Sequence, residues 1–180
     1  MTLPLLNKSS IGKVLFYVPA AVLLFFYKPA YTLGLSGCLL MSGLFGIWFT
    51  QGNNQLPHSK WWLIESSVDV LLALSLLVGF TTNNLFEWVV LCFAFRSIFI
   101  GAFAFVYAFQ IIMSSNHIDY SDFVQRTAVS SLWLIVGFLL MIAQLTEKLP
   151  IGLILQLLAV VMLLYVLYLF RTLATIKKTV

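Results

Sequence analysis

The sequence predicts an all-α polytopic transmembrane bundle of about six spans, and three observations carry that prediction. Hydrophobic residues make up 62% of the chain and charged residues only 9%, against roughly 25% charged in a typical soluble domain. Mean hydropathy is +1.03. The apolar residues fall into six runs of near-spanning length, separated by short polar connectors. With so few charges, most of the surface cannot face water. The whole chain, 1–180, reads as a single membrane domain.

A spanning helix needs roughly 20 apolar residues. The first run, Val14 to Tyr27, contains Pro19 and stops at Lys28-Pro29; carried back to Ile11 it becomes just long enough, giving a span over 11–27. The second covers 31–50. A polar connector, Gln51 to Lys60, is rich in Asn, Gln, Pro and Gly and marks a loop. The third run covers 61–80, and Thr81-Thr82-Asn83-Asn84 makes a tight turn. The fourth, 86–113, is long enough to tilt or to pass the headgroups. The longest connector, Ser114 to Arg126, carries Asp119 and Asp122. It is read as a solvated loop, with partner binding as the alternative. The fifth run covers 128–145, Thr146-Glu147-Lys148 interrupts it, and Pro150 opens the sixth, 150–170.

Orientation follows from Lys and Arg in short loops. Lys8, Lys13, Lys60, Arg126, Arg171, Lys177 and Lys178 fall on one side and only Lys28 and Lys148 on the other, seven against two. This predicts both termini in the cytoplasm. Trp61, Trp62, Trp88 and Trp133 lie near run ends, where interfacial anchors are expected. The net charge of +4 does not indicate nucleic acid, because the basic residues stand singly between apolar runs rather than in a patch. Leu35-Ser36-Gly37-Cys38 resembles a lipoprotein cleavage site, but the residues after Cys38 stay apolar to Phe49, so retention of the segment is expected.

Six spans divide into three helix pairs, Gly12–Thr50, Lys60–Met113 and Arg126–Phe170, each a helix, a short outer turn and a returning helix. The Trp-opened helices at Trp61-Trp62 and Trp133, the Pro-bearing outer turns Lys28-Pro29 and Glu147-Lys148-Leu149-Pro150, and Phe95-Arg96-Ser97-Ile98 in a returning helix give a pattern that resembles the HdeD family of small bacterial acid-resistance membrane proteins. The resemblance covers nearly the whole chain, with Ser, Ala or Val at several helix positions where that family often has glycine. It implies an inner-membrane location and a stress role, and supplies no catalytic residues.

Glu65, Asp69 and Arg96 lie within spans, and an ionisable group at bilayer centre costs roughly 2.5–3.5 kcal/mol on insertion scales. Such groups should face the bundle and find partners. Glu65 and Asp69 are four apart and share a helix face. Counting about 1.5 Å per residue, Asp69 and Arg96 reach similar depths on adjacent antiparallel helices, so an ion pair between them is expected. That pair is either structural, fixing helix register, or part of a proton or ion relay with Glu65 on the cytoplasmic side.

Small residues form two seams: Gly34, Cys38, Ser42 and Gly46 on the second helix, and Ala94, Ser97, Gly101, Ala104 and Ala108 on the fourth. Such seams let helices approach closely, within one chain or across a homodimer. Gln110, Gln144 and Gln156 are lone amides within spans, read as interhelical glue. Cys38 and Cys92 lie in apolar runs and pack as small hydrophobes, and His58 and His117 sit in connectors. The sequence offers no metal spacing, no cofactor motif and no catalytic constellation, so an enzyme is not expected. Two classes remain: a scaffold or accessory subunit of HdeD-like type, and a small transporter or channel using Glu65, Asp69 and Arg96. The expected partners are the lipid bilayer and a homodimer or accessory-subunit contact.

Overall fold

A computed structural model describes residues 4–52, 59–81, 84–114, 120–146 and 150–176. Six helices account for nearly all of them: α1 (Pro4–Phe25), α2 (Thr32–Gly52), α3 (Ser59–Gly79), α4 (Leu85–Ser114), α5 (Tyr120–Thr146) and α6 (Ile151–Ile176). A short 3-10 turn, Pro29–Tyr31, joins α1 to α2. Proline supplies its fixed φ at that turn's first position. Thr32 then closes the turn by donating its hydroxyl to the Pro29 carbonyl at 2.8 Å.

Four helical segments are long and apolar enough to cross a membrane: Pro29–Gly52, Lys60–Gly79, Leu85–Phe109 and Phe123–Thr146. Among the described residues, the apolar parts of α1 and α6 are shorter, Ile11–Phe25 and Ile151–Leu167. The first is limited by Asn7, Lys8, Ser9 and Ser10, which belong to the same helix but interrupt its apolar sequence. Large apolar side chains such as Leu15, Trp48, Leu71, Val78, Phe99 and Leu167 point outward all round the bundle. An outward apolar surface of this kind is what lipid requires of a polytopic protein.

The helices pack in chain order and close into a ring, each touching its neighbours in sequence and α6 returning to α1. Neighbours run antiparallel, so α1 begins and α6 ends at one end of the bundle, here the terminal end; the ends of α1, α3 and α5 and the starts of α2, α4 and α6 mark the far end. The most extensive packing joins α2 to α3 and α4 to α5, across the pairs that the sequence division groups together. Glycine explains this. A Cβ on Gly43 would lie 2.6 Å from Val70 Cγ2 and 2.7 Å from the Ser66 carbonyl, and one on Gly46 would collide with the Ser66 hydroxyl. On the other side of the bundle, a Cβ on Gly101 would lie 2.9 Å from the Ser130 carbonyl, and one on Gly137 3.0 Å from the Ala94 carbonyl. Lipid gives no hydrophobic reward for helix association, so close backbone approach and dispersion decide which helices pair.

Candidate functional site

The interior of the ring holds a cluster of charged and phenolic side chains contributed by α1, α3, α4 and α6. Glu65 and Asp69 stand one turn apart on the inward face of α3, with Ala73 continuing that face. Both carboxylates are buried.

Asp69 is held by three donors on a single oxygen. Arg96 Nε donates to Oδ1 at 2.9 Å and Arg96 Nη2 at 2.6 Å, and the Tyr17 hydroxyl donates to the same atom at 3.2 Å. The ion pair is therefore end-on, not the parallel fork that a guanidinium and a carboxylate often form. Asp69 Oδ2 and Arg96 Nη1 are left without hydrogen-bond partners among the described residues. The guanidinium lies between two rings, 5.4 Å from the centre of Tyr17 and 5.0 Å from that of Trp133. Its charge thus meets a carboxylate edge-on and aromatic faces on its flanks, a favourable environment for a buried cation.

Glu65 is held differently. The Tyr165 hydroxyl donates to Oε2 at 2.6 Å. Lys13 Nζ approaches Oε1 at 3.0 Å, yet out of hydrogen-bond alignment with it. Lys13 Nζ also lies 5.8 Å from the centre of the Tyr17 ring. The rings of Tyr17 and Tyr165 are 6.1 Å apart, as are those of Tyr165 and Trp133. The four charges sum to zero. Each carboxylate has one cation and one phenol, and both phenols come from a helix other than α3.

Of the residues the sequence singles out, the structure brings Asp69 and Arg96 into contact and places Glu65 beside them with other partners. It adds Lys13, Tyr17, Tyr165 and Trp133, which sequence reasoning missed. Lys13 reads in sequence as an end charge. Its spacing of four from Tyr17 was the available signal, because that spacing puts both on one face of α1. Tyr165 sits in an otherwise apolar run and carries no such signal. Trp133, expected as an interfacial anchor, is instead buried against Arg96 and Tyr165. An indole placed several residues inside α5 reaches the core because it shares that helix's inward face with Ser130, Val136 and Leu140. Trp88 does sit at the far end, where its Nε1 donates to the Ser75 carbonyl at 2.8 Å and its ring fills the space left by Gly79.

The two seams behave differently. Residues every four along α2 drift by about 40° per step, since a turn takes 3.6 residues. Gly34 accordingly approaches Leu23 of α1, whereas Ser42 is buried and Gly46 meets Ser66 of α3. On α4 the alternating spacing of three and four holds one line. Ala94, Ser97, Gly101 and Ala108 are buried and Ala104 half-buried, with Ala94 and Gly101 set directly against α5. Cys38 and Cys92 are half-buried free thiols. Gln144 is half-buried, and Gln156 is exposed on the outer surface, a placement at odds with its reading as interhelical glue. The Gln110 and Asp122 side chains, His58, His117, Asp119 and the Glu147–Leu149 turn lie outside the described residues. Among the described residues no group of His, Cys, Asp and Glu is arranged to hold a metal.

The chain matches no family model, no curated protein and no solved structure.

Proposed function

We propose that this protein is a small multi-pass transporter of the bacterial inner membrane, with both termini in the cytoplasm, in which the Lys13–Glu65 and Asp69–Arg96 pairs form a proton- or ion-exchange site. The observation that carries the proposal is the cluster itself: two carboxylates on one face of α3, each met by a cation and a phenol from other helices. Ionisable groups inside a membrane are costly and by default mark ion or proton pathways. A bundle needing only packing would be better served by apolar side chains of the same volume.

Lys13 and Glu65 lie toward the terminal end, which the Lys and Arg distribution assigns to the cytoplasm, and Asp69–Arg96 stands near mid-depth. From Asp69 to the far end of α3 there are ten residues, about 15 Å of helix, and across that depth the interior holds no buried charge among the described residues: Leu24, Leu76, Val89, Leu140 and Leu155 fill it, with the hydroxyls of Thr32 and Ser36 between them. A charged site reaching from one face to mid-depth, with an uncharged layer beyond it, is the arrangement expected of an alternating-access protein closed on its far side.

The neutral sum of the four charges favours a second reading, an HdeD-like scaffold or accessory subunit whose cluster only fixes helix register. Liposome flux separates the two. Purified protein is reconstituted with a pH-sensitive dye trapped inside, and proton flux is compared for wild type, Glu65→Gln and Asp69→Asn. Flux in wild type that falls at least about tenfold in Glu65→Gln, with helicity retained, supports transport. No flux in wild type above protein-free liposomes removes it and leaves the scaffold.

A further inference from the structure

The two buried ion pairs differ in how firmly they are made, and the difference points to a ligand. Asp69 receives two N–H donors from one guanidinium whose faces are covered by Tyr17 and Trp133. Glu65 receives a single ammonium at 3.0 Å, and the contacted oxygen, though buried, makes no hydrogen bond among the described residues. Lys13 lies only two residues inside the apolar segment Ile11–Phe25, and Glu65 five residues inside Lys60–Gly79. Lysine near the end of an apolar segment readily extends its flexible stem to the headgroup region. The stem now runs past a notch in α2: a Cβ on Gly46 would come within 3.9 Å of Lys13 Cδ. Withdrawal of Lys13 would therefore leave an alkyl-sized channel ending at a carboxylate. The Tyr165 phenol would remain on the second oxygen and the Tyr17 ring alongside.

We infer that Lys13 is a tethered occupant of a cation site on Glu65, and that the site takes a small primary alkylammonium in its place. A carboxylate supplies the charge, the phenol of Tyr165 fixes its orientation, the face of Tyr17 offers a cation–π contact, and the groove lined by Gly46 and Ser66 takes the alkyl part. Asp69–Arg96 stays closed while the ligand exchanges with Lys13, and separates the site from the far end in that state. The inference rests on reading the cluster as an ion-handling site, and names its substrate class.

The test is equilibrium binding of radiolabelled n-butylammonium to the purified full chain in detergent, at ionic strength held constant with sodium chloride. Removing the internal competitor should raise affinity, because a ligand that binds only the Lys13-out state has its apparent affinity reduced by that state's population. Lys13→Ala is expected to bind at least about tenfold more tightly than wild type; Glu65→Gln and the double variant Lys13→Ala/Glu65→Gln should not bind. A Lys13 with a purely structural role would destabilise the protein when removed without creating binding that depends on Glu65. If Lys13→Ala does not survive gel filtration, Lys13→Ser serves in its place, and saturable binding to wild type but not Glu65→Gln is then the supporting result. Binding to wild type and the Lys13 variant no greater than to Glu65→Gln overturns the inference. Glu65-dependent proton flux without alkylammonium binding would remove the ligand and leave the transporter; binding without flux would do the reverse.

Discussion

The terminal and far halves of this bundle solve the same packing problem with opposite chemistry. Around Lys13, Tyr17, Glu65, Asp69, Arg96 and Tyr165 the interior is filled by paired charges, phenols and hydroxyls. Around Leu24, Leu35, Leu76, Val89, Leu140, Leu155 and Leu158 it is filled by aliphatic side chains, and among the described residues no buried charge lies there. Both halves are equally surrounded by outward apolar residues, so lipid contact does not account for the difference. An apolar far half shows that these helices can pack without charge. On the proposed reading, the charged half serves ion exchange rather than packing.

Four substitutions, with Leu71→Ala as an exposed control, sharpen or break this contrast. The largest effect is expected of Arg96→Ala. It strands the Asp69 carboxylate, and removing one partner of a buried pair costs about 3–5 kcal/mol. Unfolding of the protein in mixed detergent–SDS micelles should show it. A loss below about 1 kcal/mol, the size expected of an exposed pair, would mean that the two halves do not differ as described. Next is Leu76→Ala in the far half, expected to cost about 2 kcal/mol by the same measurement. The cavity term remains there, while the transfer term shrinks because the unfolded reference is also in lipid. Leu71, exposed on the same helix, should tolerate alanine without measurable change.

Gly43→Ala tests the seam that joins α2 to α3. Its Cβ meets backbone at 2.7 Å, so the helices must separate, at about 1–2 kcal/mol. Loss of close α2/α3 approach should also reduce crosslinking between cysteines placed on the two helices. The smallest measurable effect belongs to Ser36→Ala. Its hydroxyl donates to the Ala73 carbonyl at 2.8 Å, and interhelical hydrogen bonds inside membranes average about 0.6 kcal/mol. A Ser36→Ala loss as large as that of Arg96→Ala would show polar contacts in the far half to matter as much as the charged cluster.

Much of the architecture was legible before any coordinates. Apolar run length and the polar connectors fix six helices, because lipid forces every backbone donor and acceptor to be satisfied within its own segment. The spacing of Glu65 and Asp69, and the depth of Arg96, also follow from helix rise and periodicity alone. Other features did not follow from local sequence. Seven against two basic residues suggests sidedness, yet Lys13, counted there as an end charge, turns inward to Glu65. Trp133 resembles an anchor but is buried beneath a guanidinium. Gly43 and Gly137, outside the seams the spacing suggested, join Gly46 and Gly101 of those seams where α2 meets α3 and α4 meets α5.

The sequence by itself thus determined the solvent, the helices and the presence of charges that must be buried. Only the tertiary structure decided which partner each charge has. The reason is physical: insertion cost depends on a residue's own chemistry and depth, whereas pairing depends on how ring closure brings α1 and α6 against α3. Tyr165 lies one hundred positions from Glu65 along the chain yet donates to it at 2.6 Å, and no local pattern carries that contact.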